Sequence, residues 1–236
     1  MTVPPPTASF GARLRRARER GLRRTTASLL RARLDLWLWR GRLTPIAVAA
    51  IRARLATGPG PKSSEGPPLT VITAEYKALN QQMHRAREAY GVQGKYHIGQ
   101  VRLIAKIVSD DILDYGCGKR LLEAGLGFPI HNYDPGLPEF DQRPEPADVV
   151  VCLDVLEHIE PDRLDDVLAD LARVTRRVGY FTVSTVPATK SLPDGRNAHL
   201  IVQPKEWWRS RVERTFRILL ATASDDHVTF VVRPRA

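Results

Sequence analysis

Two acidic residues and a glycine turn in the middle of the chain have the spacing of a nucleoside-binding site. A strand-like apolar run ends in Asp114, and a glycine turn at 116–118 follows at once. Asp134 closes the next apolar run twenty residues later. In open α/β sheets ligands bind at the carboxyl ends of the strands, where an acid at about this distance accepts hydrogen bonds from ribose. The predicted pocket is lined by Asp114, Gly116, Cys117, Gly118 and Asp134.

The chemistry of this turn favours S-adenosyl-L-methionine over a dinucleotide as the cofactor. A dinucleotide turn needs glycines at its first, third and sixth positions, and Leu121 occupies the sixth. Asp114 precedes the first glycine by two residues, where its carboxylate would repel a pyrophosphate. S-adenosylmethionine has no phosphate, and its ammonium and sulfonium suit an acid. We therefore expect Asp134 to accept hydrogen bonds from the ribose of this cofactor.

Three segments in this order resemble the class I S-adenosylmethionine-dependent methyltransferases. They are 114–118 (Asp-Tyr-Gly-Cys-Gly), 133–135 (Tyr-Asp-Pro) and 147–159, which contains Asp-Val-Leu-Glu-His-Ile. The resemblance covers about residues 95–233. It implies a methyl-transferring enzyme whose cofactor site also includes Leu153 and Asp154.

Two features depart from the pattern of that family. Arg120 occupies the position of the family's third glycine. Only residues 136–147 separate the second predicted strand from the next, too few for the usual intervening helix and strand. The residue that normally marks the adenine base therefore has no clear counterpart, although Asp141 and Gln142 lie in this segment.

Polar residues that could assist methyl transfer follow two of the predicted strands. Asp154, Glu157 and His158 come just after the strand at 148–153, and His199 ends the loop at 194–199. Methyl transfer is an in-line displacement in which the enzyme mainly positions the two reactants. A hydroxyl acceptor also gains from a general base, and histidine titrates near neutrality. His158 and His199 are therefore the candidate bases.

The same residues resemble a metal site. The Asp-Val-Leu-Glu-His segment is similar to the Glu-x-x-Glu-His segment of ubiquinone-pathway O-methyltransferases and of small-RNA 3′-terminal 2′-O-methyltransferases. The latter bind a divalent metal through two glutamates and two histidines. Oxygen and imidazole ligands suit magnesium or manganese. By position the resemblance implies the ligands Asp154, Glu157, His158 and His199. The alternative is that Glu157 and His158 only orient the following helix.

The elements that must position these residues alternate between strand and helix. Strands are predicted at 111–116, 129–133, 148–153 and 179–186, and a final antiparallel hairpin at 215–222 and 227–233. Helices are predicted at 71–90, 97–108, 119–126, 162–177 and 204–213. This order predicts an α/β, Rossmann-like fold. Its mostly parallel, twisted sheet would carry helices on both faces and end in the antiparallel hairpin.

The net charge of +10 belongs to the amino-terminal part of the chain. Residues 1–60 hold thirteen arginines against two acids, whereas residues 61–236 hold 23 basic and 24 acidic residues. We therefore divide the chain into an arginine-rich extension (1–56), a linker rich in glycine and proline (57–70) and a methyltransferase domain (71–236). The extension is either an interfacial helix or anionic-partner arm, a weakly ordered tail, or a transit peptide.

The near-neutral charge of the domain favours a small-molecule or saccharide acceptor. We expect the methylated atom to be an oxygen in preference to a nitrogen. One alternative is a metal-assisted RNA 2′-O-methyltransferase that uses the arginine-rich extension, and another is a non-catalytic cofactor-binding module. No apolar run of the extension is long enough to span a bilayer, so any membrane contact there would be peripheral. Cys117 and Cys152 lie inside core motifs, which fits unpaired thiols and a cytoplasmic location.

Overall fold

A computed structural model describes residues 70–86 and 90–235. The predicted extension at 1–56 lies outside the described residues, as does the predicted linker at 57–70 apart from its last residue. No described helix combines the length and the apolar character needed to cross a membrane.

Strands and helices alternate through the described part of the chain. The strands are β1 (Ile112–Tyr115), β2 (His131–Tyr133), β3 (Ala147–Leu153), β4 (Thr175–Ser184), β5 (Phe216–Ala223) and β6 (His227–Pro234). The helices are α1 (Ala74–Ala86), α2 (Ile98–Ile107), α3 (Leu121–Leu126), α4 (Leu164–Val174) and α5 (Lys205–Thr215). Short 3₁₀ turns lie at Gln93–Tyr96 and Leu156–His158.

The described strands form one sheet in the order β2-β1-β3-β4-β6-β5. Strands β1 to β4 pair in parallel, whereas β6 is antiparallel to both β4 and β5. This arrangement confirms the predicted Rossmann-like sheet with its terminal hairpin. Because the carboxyl ends of β1 to β4 meet at one edge, the acids that follow these strands come close together.

Helices cover both faces of the sheet because its central strands are apolar on both sides. In β3, Val150 and Cys152 belong to the apolar cluster that includes α4 and α5, while Val149 and Val151 belong to the cluster that includes α2 and α3. Such two-sided burial is typical of parallel strands. The α4–α5 layer contains Trp208, which is fully buried.

A third apolar cluster holds α1 beside the carboxyl edge of the sheet. Tyr76 and Met83 of α1 pack with Tyr90, and this group meets Leu192 and Ala198 of the long connection after β4. The packing places α1 next to the strand ends at which the sequence predicts the ligand.

The segment between β2 and β3 contains neither helix nor strand, so β2 is an edge strand of the described sheet. This agrees with the expectation that the segment is too short for a further helix and strand. The Lys77 ammonium lies 2.7 Å from Oδ2 of Asp141, so this adenine-marking candidate is used to tie the connection to α1.

The boundary predicted between the fourth helix and the strand after it was wrong. The helix predicted at 162–177 ends at Val174, and β4 begins at once with Thr175. The Thr175 hydroxyl donates to the Leu171 carbonyl at 2.6 Å, which satisfies one of the last helical acceptors. Arg176 and Arg177 then reach Asp111 and Asp148 at the amino ends of β1 and β3. These long-range ion pairs favour strand over helix for residues whose local sequence suits both.

Candidate active site

A cleft of about 320 Å³ opens at the carboxyl edge of β1 to β4. We call the part lined by Asp114, residues 116–118 and Asp134 the cofactor half. The part lined by Asp154, His158, Ser184, His199 and His227 is the acceptor half. Helix α1 and the segment at 90–94 also line the cleft.

The glycine turn has a backbone that other residues would not adopt easily. Gly116 and Gly118 have φ angles of 85° and 48°. The amides of Gly116 and Cys117 both donate to the Tyr133 carbonyl, at 2.7 and 3.1 Å, which fixes the turn against the end of β2. A Cβ at Gly116 would lie 2.4 Å from the Val155 side chain. Glycine is therefore required here by both conformation and space.

Arg120 keeps the left-handed conformation at the position where the family has a third glycine. Its φ is 55°, which costs a non-glycine residue about 1–2 kcal/mol. The guanidinium pairs with Glu123 and lies 5.2 Å from the Phe140 ring centroid. The arginine therefore follows the required turn while its side chain lies against Phe140 rather than in the cleft.

Asp114 is a buried carboxylate that lacks a hydrogen-bond donor among the described residues. Its side chain lines the cleft, although the residue is only 2% exposed. Burial raises the pKa of Asp114 to about 7, and the charges of Asp134 and Glu123 add to this effect. A ligand ammonium would supply both the missing donor and the missing positive charge. The residue therefore fits the amino group of S-adenosylmethionine.

Backbone amides hold the Asp134 carboxylate in one orientation. Oδ1 accepts from the Gly136 amide at 2.9 Å, and Oδ2 accepts from the Gly118 amide at 3.0 Å. Burial raises the pKa of Asp134, whereas the neighbouring His84 and these two amides lower it. A carboxylate oxygen can accept two hydrogen bonds, so each oxygen of this pre-oriented group still has capacity for a ribose hydroxyl.

Leu153 and Asp154 continue the cleft from the cofactor half to the acceptor half. Asp154 has a φ of 54°, a strained value that tends to occur at functional sites. Its Oδ1 accepts from the Thr182 hydroxyl at 2.7 Å, and its Oδ2 lies 3.5 Å from Nε2 of His227. These contacts turn the Asp154 carboxylate toward β4 and β6.

His158 and His199 present one lone pair each. Nδ1 of His158 lies 2.7 Å from the Ala198 carbonyl, and Nδ1 of His199 lies 2.6 Å from the Val186 carbonyl. A carbonyl only accepts, so each Nδ1 carries a proton and each Nε2 is an acceptor in the neutral ring. Burial lowers the pKa of both rings, to about 4 for His158, so both are neutral at physiological pH.

Three of the four proposed metal ligands lie together. Ligand atoms of Glu157, His158 and His199 lie within 4.8 Å of one another. Glu157 is fully buried, its Oε1 accepts from the Ser184 amide at 2.8 Å, and its Oε2 has no partner among the described residues. Burial raises the pKa of Glu157 well above its usual range. Asp154 lies outside this group because its carboxylate is held by Thr182.

Several residues that line the cleft were not predicted from the sequence as site residues. Tyr76, Asn80 and His84 of α1 follow one another at intervals of four residues, and all three line the cleft. The Tyr76 hydroxyl donates to the His158 carbonyl at 2.6 Å. The four-residue recurrence of polar residues on one helix face was the available signal. His227 reaches the cleft only because β6 pairs with β4, which spacing along the chain does not indicate.

Comparisons with known proteins identify the family and the fold. A family model described as a methyltransferase domain matches residues 74–225, and no curated protein matches the chain in sequence. A solved structure of Burkholderia thailandensis 1,6-didemethyltoxoflavin-N1-methyltransferase, with bound 1,6-didemethyltoxoflavin and S-adenosylhomocysteine, is 16% identical. The alignment covers 75% of this chain and 94% of that chain, with a TM-score of 0.51. The N-methyltransferase NodS from Bradyrhizobium japonicum WM9, in complex with S-adenosylhomocysteine, is 13% identical over 70% of this chain and 100% of its own, with a TM-score of 0.47.

Proposed function

The chain belongs to the methyltransferase domain family of class I S-adenosylmethionine-dependent enzymes, and we propose that it methylates a hydroxyl oxygen of a small molecule or saccharide. A nitrogen acceptor is the alternative within the same reaction class. The unpaired, buried thiols of Cys117 and Cys152 support a cytoplasmic location, where thiols stay reduced.

The cofactor half supplies binding and orientation. S-adenosylmethionine, when bound, supplies an electrophilic methyl group on its sulfonium. The Asp114 carboxylate is the partner for the cofactor ammonium, and Asp134 is the partner for the ribose. The glycines at 116 and 118 let the backbone approach the ligand closely. Leu153, only 5% exposed, contributes an apolar surface between the two halves.

The observation that supports an oxygen acceptor is the lone pair of His158. With Nδ1 fixed by the Ala198 carbonyl, Nε2 is left as a proton acceptor in the acceptor half. The acceptor hydroxyl becomes strongly acidic only as its oxygen bonds to the transferred methyl carbon. A base with a pKa of about 4 is therefore sufficient to take the proton. The neighbouring His199 ring, with its centroid 4.7 Å away, presents a second lone pair to the same region.

This proposal is tested by identifying the methylated product. Purified full-length protein is incubated with S-adenosylmethionine and fractionated metabolite extracts, and products that gain one CH₂ are collected by mass spectrometry. Nuclear magnetic resonance then locates the methyl group. We expect an O-methyl product and a loss of turnover of roughly 10²-fold or more in His158→Gln, the usual contribution of a general base. A product methylated on nitrogen, or full turnover by His158→Gln, contradicts the oxygen assignment.

The grouping of Glu157, His158 and His199 supports a second candidate, a magnesium- or manganese-assisted RNA 2′-O-methyltransferase. Both imidazoles donate Nδ1–H to backbone carbonyls, which is how metal-binding histidines are usually oriented. The enclosed Glu157 Oε2 lacks a partner among the described residues, and a cation would satisfy it. A bound metal would supply a Lewis acid for the acceptor oxygen.

The metal candidate predicts activity that is lost with a chelator and restored by Mn²⁺. It also predicts Mn²⁺ binding that Glu157→Gln weakens and Asp154→Asn leaves unchanged, because only Glu157 belongs to the group. RNA affinity should fall steeply with salt. Activity that is insensitive to chelator, without RNA binding, removes this candidate.

A further inference from the structure

His84 lies in the cofactor half of the cleft although it belongs to α1, outside the glycine turn and the strands that build that half. Its side chain is only 8% exposed. Nδ1 is enclosed and has no hydrogen-bond partner among the described residues. Nε2 lies 3.9 Å from Oδ2 of Asp134, the acid assigned to the ribose. The ring therefore makes no hydrogen bond with a described residue, although its Nε2 lies beside an acid of the predicted cofactor site.

The surroundings of His84 fix the ring in place. The Tyr90 ring contacts it edge-on, with the centroids 4.8 Å apart. A Cβ at Gly91 would lie 3.0 Å from Cε1 of His84, and a Cβ at Gly136 would lie 3.6 Å from Cδ2. Glycines on both sides therefore make room for the ring. Nε2, the atom between Cε1 and Cδ2, is directed toward Asp134.

The gap between His84 and Asp134 has the size for one bridging hydroxyl. A separation of 3.9 Å is too long for a direct hydrogen bond. One oxygen atom can nevertheless lie about 2.8 Å from both Nε2 and Oδ2, the ordinary hydrogen-bond distance. Since the Gly118 and Gly136 amides hold Asp134, and Tyr90 and the two glycines hold His84, neither side chain is positioned to close the gap by itself.

We propose that His84 and Asp134 hold one ribose hydroxyl of the cofactor between them, an inference that rests on the assignment of Asp134 to the ribose. Nε2–H of His84 donates to the hydroxyl oxygen, and the hydroxyl donates its hydrogen to Oδ2 of Asp134. Burial lowers the pKa of His84, which favours the neutral ring with a single N–H. Helix α1 thereby contributes a cofactor-binding residue, and the site distinguishes ribose from deoxyribose.

A ligand–protein double-mutant cycle tests this contact. S-adenosylhomocysteine and its 2′-deoxy and 3′-deoxy analogues are titrated into the wild-type protein, His84→Phe and His84→Gln. We expect His84→Phe to weaken the binding of S-adenosylhomocysteine about 10-fold, which corresponds to one hydrogen bond of roughly 1.4 kcal/mol. The affinity of the analogue that lacks the bridging hydroxyl should be the same in His84→Phe as in the wild-type protein. The affinity of the other analogue should fall by the full 10-fold or so. His84→Gln, which keeps an N–H donor, should recover part of the affinity.

Equal weakening of all three ligands by His84→Phe overturns the proposal, because a packing role would not depend on a ribose hydroxyl. Unchanged binding of all three overturns it as well. The affinities of each variant for the three ligands are compared with one another. A general loss of stability affects all three equally and therefore cancels. The exposed His131 provides a matched control, and His131→Phe should change none of the affinities.

The design separates failure of this inference from failure of the proposed cofactor site. Suppose that Asp134→Ala weakens the binding of S-adenosylhomocysteine but not that of one deoxy analogue, while the effect of His84→Phe does not depend on the ligand. Then only the role of His84 is wrong. If the wild-type protein does not bind S-adenosylhomocysteine, both assignments are wrong.

Discussion

Replacing Asp114 by asparagine should stabilise the ligand-free protein at neutral pH. The substitution keeps the side-chain shape and removes the charge. Burial raises the pKa of the carboxyl from 3.8 to about 7, so the folded state binds this proton more tightly than the unfolded state. Between about pH 4 and 7 the wild-type protein therefore loses stability as the pH rises, because the buried group must ionise. This difference in pKa corresponds to roughly 4 kcal/mol of unfolding free energy.

Urea unfolding of the wild-type protein and Asp114→Asn between pH 4 and 8 measures this effect. Near pH 4 the two proteins should have similar stability, because a protonated aspartate resembles asparagine. At pH 8 the variant should be more stable by a few kcal/mol. The difference between the unfolding free energies of the two proteins excludes contributions that both share, including those of Glu157. A stability difference that does not depend on pH, or a wild-type protein that is the more stable at pH 8, refutes the reasoning.

The same substitution should weaken cofactor binding, because we propose that this destabilising acid binds the cofactor ammonium. Asp114→Asn removes the proposed anionic partner of the ligand ammonium, and a charge-assisted hydrogen bond is worth roughly 1.5–3 kcal/mol. We expect S-adenosylhomocysteine to bind the wild-type protein more tightly as the pH rises toward 7, since binding requires the ionised acid. In Asp114→Asn this pH dependence should be smaller. A variant that binds as tightly as the wild-type protein at pH 8 contradicts this role.

Further predictions concern the turn, Asp154 and the core. Gly116→Ala should lower stability by at least 2 kcal/mol through strain and a clash, and abolish cofactor binding. Gly127→Ala, at a φ of 76° and with no atom of a described residue beyond its chain neighbours within 4 Å of the added Cβ, should cost only about 1–2 kcal/mol; equal losses contradict the clash. Thr182→Val, which removes the hydroxyl that holds Asp154, should lower the free energy of urea unfolding by roughly 1–3 kcal/mol, and an unchanged value contradicts its role. Trp208→Ala should lower it by about 3–5 kcal/mol, and a loss below 1 kcal/mol contradicts the observed burial.

The parts of the site that lie on consecutive strand ends could be predicted from the sequence. Asp114 and Asp134 each follow an apolar run, and in a parallel sheet the carboxyl ends of neighbouring strands are adjacent. The short connection after β2 also predicted the missing helix and strand. These features depend on local pattern and on the rules of sheet assembly, both of which can be seen in one sequence.

Other parts depend on tertiary packing. His84 enters the cleft because α1 packs on the connection after β4, and His227 enters it because β6 pairs with β4. The sequence also grouped Asp154 with Glu157 as metal ligands. The left-handed backbone of Asp154 and the hydroxyl of Thr182 instead turn that carboxylate away, and spacing along the chain contains no sign of this.

Calorimetric titration with S-adenosylhomocysteine tests most directly whether this chain binds its cofactor between Asp114 and Asp134. The matched variants are Asp134→Ala and Asp148→Ala, which remove acids at opposite ends of the parallel strands. We predict one site per chain, an affinity lowered roughly 10- to 100-fold by Asp134→Ala, and an unchanged affinity in Asp148→Ala. An absence of binding by the wild-type protein, or an equal effect of the two variants, contradicts the account.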